Sequence, residues 1–163
     1  MINCTFEDGK KVKLRHVTCS VLVLNEDHRQ ILLVKRAANS FTCPNMWALP
    51  GGFMDQGEYL KEAVEREVLE ETGYKIKIEE LFRIVDNPNR PKEDKANVDF
   101  VFMTLALEQS GQHDSEISEV KWFDFDQIPP ESEWAFDHYE DVQLYLRHQK
   151  QPYNLPIIGE IKL

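Results

Sequence analysis

Cysteine is scarce in this chain, and what there is does not pair by spacing: Cys4, Cys19 and Cys43 are an odd, widely separated set with no CxxC. That argues against a disulfide framework or a zinc site. Cys19 falls inside an apolar strand pattern and reads as a small core residue. Long apolar runs are missing as well. The longest, around Val21 to Leu24, is far too short to span a bilayer, and the N-terminus Met-Ile-Asn-Cys-Thr-Phe-Glu-Asp has no signal-peptide core. A cytoplasmic protein without a membrane partner is the expectation. Positive charge is in deficit, with 19 Lys and Arg against 29 Asp and Glu and a net charge of −10. A duplex nucleic-acid surface needs clustered Lys and Arg to neutralise phosphates, so no nucleic-acid partner is expected. No repeat or low-complexity segment occurs.

What is present is ordinary globular composition, 42% hydrophobic and 29% charged over 163 residues, a length that suits one domain, 1–163, with a single sizeable core. Its most informative stretch is Gly52 to Tyr74, GFMDQGEYLKEAVEREVLEETGY, which reads as a loop followed by one helix. At about 100° per residue, Leu60, Ala63, Val64 and Val68 share one side with Glu67, Glu70 and Glu71. Lys61, Glu62, Glu65, Arg66 and Leu69 take the outward arc. Three carboxylates on the arc that should pack against the protein are not a solvated face. Standing at i, i+3 and i+4, they are neighbours on the helix surface. Two like charges about 4 Å apart repel by roughly 4 kcal/mol at an effective dielectric near 20, so either one carboxyl is protonated or a cation sits there. Hard oxygen donors with no His or Cys nearby point to Mg²⁺, or Mn²⁺, rather than zinc. Because Mg²⁺ leaves positions to water and phosphate oxygens, the stretch suggests phosphate chemistry, and an acidic protein that handles phosphates needs metal to mediate.

Gly52, five residues, Glu58, seven residues, then Arg66-Glu67-Val68-Leu69-Glu70-Glu71-Thr72-Gly73-Tyr74 resembles the Nudix box. All seven specified polar and glycine positions match. With each type used at roughly 7%, chance would produce this at one given start on the order of once in 10⁸, which sets aside an ordinary acidic amphipathic helix. Tyr74 departs from the usual aliphatic residue, at a site that packs. The resemblance implies an α/β fold, an α/β/α sandwich with a mixed sheet. It also implies metal ligation by Glu67, Glu70, Glu71 and the Gly52 carbonyl, support of that cluster by Glu58, and an ion pair from Arg66 that holds the glutamates.

Along the rest of the chain, His16 to Leu24 and Ile31 to Lys35 read as a hairpin of strands, closed by Arg36, either a solvated charge or a contact to substrate. Ser40 to Asn45 is a loop. Trp47 reads as core rather than a base-stacking platform. Ile76 to Asp86 is a strand, and Ala96 to Leu107, apolar on both faces, a central one. The loop between them carries Arg90, able to grip phosphate in a bidentate way; the segment loosely resembles one in the ADP-ribose-cleaving branch of the family. Glu116 to Phe123 is a further strand. A last helix, Trp134 to His148, is expected to bury Phe136, Tyr139, Val142 and Leu146, with Trp134 and Phe136 either core or a purine sandwich. The tail Pro152 to Pro156 is extended, free to lie on its own surface or on a partner subunit, so a homodimer is compatible with the sequence.

The function these features imply is Mg²⁺-dependent hydrolysis of the pyrophosphate bond in a nucleoside diphosphate linked to another moiety, ADP-ribose or a nucleotide sugar, with a small-molecule nucleotide as partner. Two alternatives stand beside it: a pyrophosphohydrolase that sanitises oxidised purine nucleoside triphosphates, and a silent module that only binds ADP-ribose. The general base is Glu67 or a glutamate of the loop before the last strand. Of Glu116 and Glu119 there, Glu116 is favoured, since it sits at the loop end where the chain is freer to turn; by the resemblance it also completes the metal shell.

Overall fold

The apolar stretches do form the middle of a mixed sheet. The computed structural model describes residues 2–90 and 97–159. In chain order the elements are β1 (Ile2–Thr5), β2 (Lys11–Leu14), β3 (His16–Leu24), β4 (Gln30–Arg36), β5 (Trp47–Ala48), β6 (Gly51–Phe53), α1 (Leu60–Thr72), β7 (Tyr74–Val85), β8 (Asn97–Gln109), β9 (Ile117–Asp124), α2 (His138–Lys150) and β10 (Ile157–Ile158). β1 and β2 make a separate antiparallel hairpin, while the other strands form one sheet with the path β10-β7-β8-β3-β4-β5. β8 is central, parallel to β3 from His16↔Asn97 to Leu24↔Leu105 and antiparallel to β7.

Alternation along β3 divides the core between two layers. Cys19, Val21 and Val23 pack with Ala63, Val64 and Val68 of α1, whereas Leu22 and Leu24 pack with Trp134, Val142, Leu144 and Tyr145 on the α2 side. The result is the α/β/α sandwich. The β3–β4 hairpin is real but short, with only Val23↔Leu32 and Leu24↔Ile31 in register. Below that the sheet forks: β3 takes β6 as its partner, from Thr18↔Phe53 to Ser20↔Gly51, and β4 pairs instead with β9 and β5.

Two expectations need correction. The last helix begins at His138, not Trp134. Trp134 is extended and bridges Trp47, and Ala135 donates to the Trp47 carbonyl at 2.8 Å, which ties this segment to β5. The Trp134 indole donates to Pro129 O at 2.9 Å, and Phe136 and Asp137 then turn the chain into the helix. The buried stripe of α2 is therefore His138, Asp141, Val142, Leu144 and Tyr145, with Tyr139 and Leu146 only half-buried. Glu70 also leaves the packed arc, its side chain 51% exposed, because at 100° per residue it falls about 20° beyond Ala63 at the edge of the buried sector. The tail lies on its own fold: Leu155 packs on the main core, and β10 runs parallel to β7. Residues 91–96, which contain most of the loop after Arg90 and the first residue of the expected central strand, lie outside the described residues.

α1 ends at Gly73, whose φ of 75° is left-handed and whose N–H reaches Leu69 O at 2.8 Å. A Cβ on Gly73 would stand 2.2 Å from Gly111 O, and Gly73 O accepts from the Ser110 and Gly111 amides at 2.8 and 3.1 Å. Gly73→Ala should therefore lower stability by about 2 kcal/mol or more and, by pushing the 110–116 loop away, reduce turnover as well. Denaturant melts of the two proteins check the first, initial rates the second.

Candidate active site

The glutamates of α1 are arranged by one arginine. Its side chain does not stay on the outward arc: Arg66 donates to Glu58 Oε2 at 3.1 Å and Oε1 at 2.8 Å, to Glu67 at 2.9 Å, to Glu70 at 3.1 Å and to Phe53 O at 2.9 Å. This guanidinium, with the Asp55 amide, holds the Glu58 carboxyl down to about 2. Burial acts in the other direction on Glu67 and pushes it up, offset in part by Arg66. Glu71 is buried and accepts from Gly51 N–H at 2.9 Å. Desolvation drives it up to about 8, so without a counter-ion this carboxyl holds its proton near neutral pH. Gly52 lies against Glu67, so that an added Cβ would meet the carboxylate at 2.6 Å and push that side chain aside.

Facing α1 is a cavity of about 560 Å³, into which Gly52, Glu67, Glu71, Glu116, Arg36, Arg90 and Phe136 all turn. Glu116 is brought there by the 110–116 loop, which is tied to the end of α1 through Asp114 N–H to Glu70 O at 2.9 Å. The Asp114 carboxylate then accepts from the Glu116 amide at 2.9 Å. Glu119 sits on β9 opposite Lys35, exposed and away from the cavity lining. Glu58, Arg66 and Glu70 stand behind the lining rather than in it.

Arg36 reaches the cavity mouth, donating to Thr42 O at 3.0 Å, with its guanidinium 5.5 Å from the Phe136 ring centre. Phe136 has a φ of 52°, a conformation that a bulky residue adopts at a cost of order 1–3 kcal/mol. Phe41 is 91% exposed at the rim. Arg90 is placed differently from the expectation of a free phosphate grip. It is buried, bonded through Nε to Asp137 Oδ2 at 3.0 Å and through Nη2 to Asp137 Oδ1, with Asp99 Oδ2 at 3.5 Å. Its charge is committed to two buried carboxylates.

The sequence reading missed the far wall. Asp99 accepts from Thr18 Oγ1 and Ser20 Oγ, each at 2.8 Å, and Ser20 Oγ lies 3.3 Å from His138 Nε2. Leu49 N–H donates to His138 Nδ1 at 3.0 Å. One signal was available: Thr18 and Ser20, and Asn97 and Asp99, put polar residues two apart on strands that are otherwise apolar, and the parallel register sets Thr18 beside Asp99. No such signal marked His138.

A three-layer sandwich thus turns helix-borne carboxylates into a polar cavity. The model of the NUDIX domain family matches residues 14–143. An ADP-ribose pyrophosphatase of Methanocaldococcus jannaschii is 34% identical over 142 residues, 86% of this chain and 80% of that protein. A putative 8-oxo-dGTP diphosphatase of Bacillus subtilis is 36% identical over 109 residues, 67% of this chain and 66% of the other. Among solved structures, a UDP-X diphosphatase aligns with a TM-score of 0.73 at 25% identity, covering 94% of this chain and 71% of that one. An ADP-ribose pyrophosphatase of Streptococcus suis gives a TM-score of 0.70 at 23% identity, over 90% and 100% of the two chains, a likeness of fold. The chain belongs to the Nudix family and is a Nudix hydrolase. Among the described residues no helix is long and apolar enough to cross a membrane.

His138 gives the site a pH signature. Burial lowers it from 6.5 to about 4, so the folded protein keeps it neutral while the unfolded chain protonates it near 6.5. The stability it contributes is present above pH 6.5 and lost as pH falls towards 4, by up to roughly 3 kcal/mol. His138→Asn should lose less stability than wild type between pH 7 and 4 in urea melts; parallel curves would show that His138 is not the titrating group.

Proposed function

We propose that this Nudix hydrolase cleaves the pyrophosphate bond of a nucleoside diphosphate linked to a second moiety, ADP-ribose or a nucleotide sugar, with Mg²⁺ as its cofactor and Mn²⁺ as an alternative. The observation that carries the reading is the convergence of Glu67, Glu71 and Glu116 on one cavity beside the Gly52 backbone. The donor set fits Mg²⁺: carboxylate oxygens and a peptide carbonyl, with burial pushing up the two carboxyls nearest Gly52, so a cation is what their ionised forms lack. Among the described residues no three acidic, His or Cys side chains are grouped closely enough to hold a metal ion as they stand. Gly52, Glu67, Glu70, Glu71 and Glu116 would hold it. When bound, the ion neutralises charge on the phosphates and lowers the pKa of water.

The chain's own residues do the rest. Arg66 keeps Glu58, Glu67 and Glu70 in one geometry. Glu116, delivered from across the cleft, accepts the proton of the attacking water, with Glu67 as the other base in reach of the cavity. Phe136, backed by Arg36, offers a face for the base. Support for ADP-ribose comes from the Methanocaldococcus relative. The Bacillus relative supports the alternative of an oxidised purine triphosphate.

A product screen over ADP-ribose, nucleotide sugars, dinucleoside polyphosphates and triphosphates, with Mg²⁺ and with chelator, separates them. AMP from ADP-ribose at a higher kcat/KM than any triphosphate is expected, and pyrophosphate release from triphosphates as the best reaction would replace this reading. Glu70→Gln should abolish turnover without lowering the melting temperature, since its side chain is half exposed. Glu116→Gln should cut kcat by roughly 10²–10⁴, the range for a positioned acid or base, with Glu119→Gln costing far less. The opposite order would move the role to Glu119.

A further inference from the structure

We propose that the wall formed by Thr18, Ser20 and Asp99 is a ribose-hydroxyl subsite, a surface of hydrogen-bond acceptors that takes the vicinal hydroxyls of a ribose 5-phosphate unit and discriminates against 2′-deoxyribose. It rests on the diphosphate-cleaving reading of the cavity, and it names the group that lies beside the cleaved phosphates.

The donors and acceptors of this wall can be counted. A backbone N–H only donates, so the bond from Leu49 N to His138 Nδ1 fixes Nδ1 as the acceptor. Burial keeps the ring neutral, and its one proton therefore sits on Nε2 and points at Ser20 Oγ. Ser20 then spends its only hydrogen on Asp99 Oδ2, as Thr18 spends its own on Asp99 Oδ1. A carboxylate accepts and does not donate. Every proton of the Thr18, Ser20 and Asp99 side chains thus runs inward to the carboxylate. Lone pairs on the two hydroxyl oxygens are what these groups have left for a ligand in the cavity they line.

Such a wall is selective by chemistry. A phosphate brings only acceptors, for which Thr18 and Ser20 have no hydrogen left, and the charge of Asp99 is already shared with Arg90. A hydroxyl brings the missing proton. Thr18 and Ser20 share one face of β3, two residues apart, and bond to the two oxygens of one carboxylate, so they offer two acceptors side by side, which suits a ring with adjacent hydroxyls better than a single donor. Their place in the ladder also matters. Ser20 is opposite Gly51, whose N–H holds Glu71, and Thr18 is opposite Phe53. Neighbouring strands are about 4.8 Å apart, so a sugar attached to a phosphate at Gly51 and Gly52 meets this wall with its hydroxyls. The ribose of the nucleoside half and that of a departing sugar phosphate carry the same diol.

The test is calorimetric titration of the whole protein in Mg²⁺ with four compounds: AMP, 2′-deoxy-AMP, ribose 5-phosphate and 2-deoxyribose 5-phosphate. In wild type the deoxy member of at least one pair should bind about 10-fold more weakly, as in a site built to hydrogen-bond a substrate hydroxyl. The pair that shows the difference identifies which half of the substrate occupies the wall. Ser20→Ala and Thr18→Val should shrink it to under about twofold, whereas Thr18→Ser, which keeps the hydroxyl, should preserve it. Equal binding of ribo and deoxy forms in wild type, or no binding of any of the four, overturns the proposal. So does discrimination that survives in both Ser20→Ala and Thr18→Val. Discrimination in a protein that leaves ADP-ribose intact would sink the substrate reading and leave the subsite standing.

Discussion

The backbone of Gly51 runs through a gap that admits no side chain, and much of the site depends on that close approach. Gly51, at a φ of 148°, would bring a Cβ to 2.1 Å from Cys19 O, and Gly52 would bring one to 2.6 Å from Glu67. Because the chain fits there, β6 can pair with the lower half of β3 while β4 leaves to join β9. The fork left behind is lined on one side by carboxylates of α1 and on the other by Thr18, Ser20 and Asp99. One steric constraint thus sets the spacing between two chemically different walls.

Electrostatics then works on that geometry in two separate ways. On the α1 side, acidic groups outnumber their counter-charges: Arg66 serves Glu58, Glu67 and Glu70 together, and Glu71 has a backbone amide but no ion pair among the described contacts. On the α2 side two buried arginines serve four carboxylates, Arg83 with Asp141 at 2.7 Å and Glu140 at 3.1 Å, and Arg90 with Asp137 and Asp99. Removing one partner from such a buried pair leaves an uncompensated charge and costs about 3–5 kcal/mol. The α2 side is therefore set as fixed framework, while the α1 side has one arginine for the four carboxylates Glu58, Glu67, Glu70 and Glu71.

Much of this was legible in the sequence because it was local. The spacing Gly52, Glu58, Arg66 to Gly73 fixes the helix, its left-handed end and the facing of Glu67 and Glu71, all within a few turns of chain. Apolar runs from His16 and through the segment before Gln109 fix two central strands, since residues that are apolar on both faces must be buried on both. That Glu116 and not Glu119 lies at the cavity was also readable, as a matter of where a loop meets a strand.

What only the tertiary structure decided is which distant groups meet. Arg90 looks like a free cation in a polar loop, yet Asp137 and Asp99, 47 and 9 residues away, claim it. His138 looks like one more helix residue until Leu49 N–H, 89 positions earlier, fixes its tautomer. The start of α2 was misplaced for the same reason, because Trp47 bonds to Ala135 across the sheet edge and outweighs helical periodicity. Periodicity reports which face of an element is buried; it carries no information about the partner on the other side, and hydrogen-bond direction and charge pairing belong to that partner.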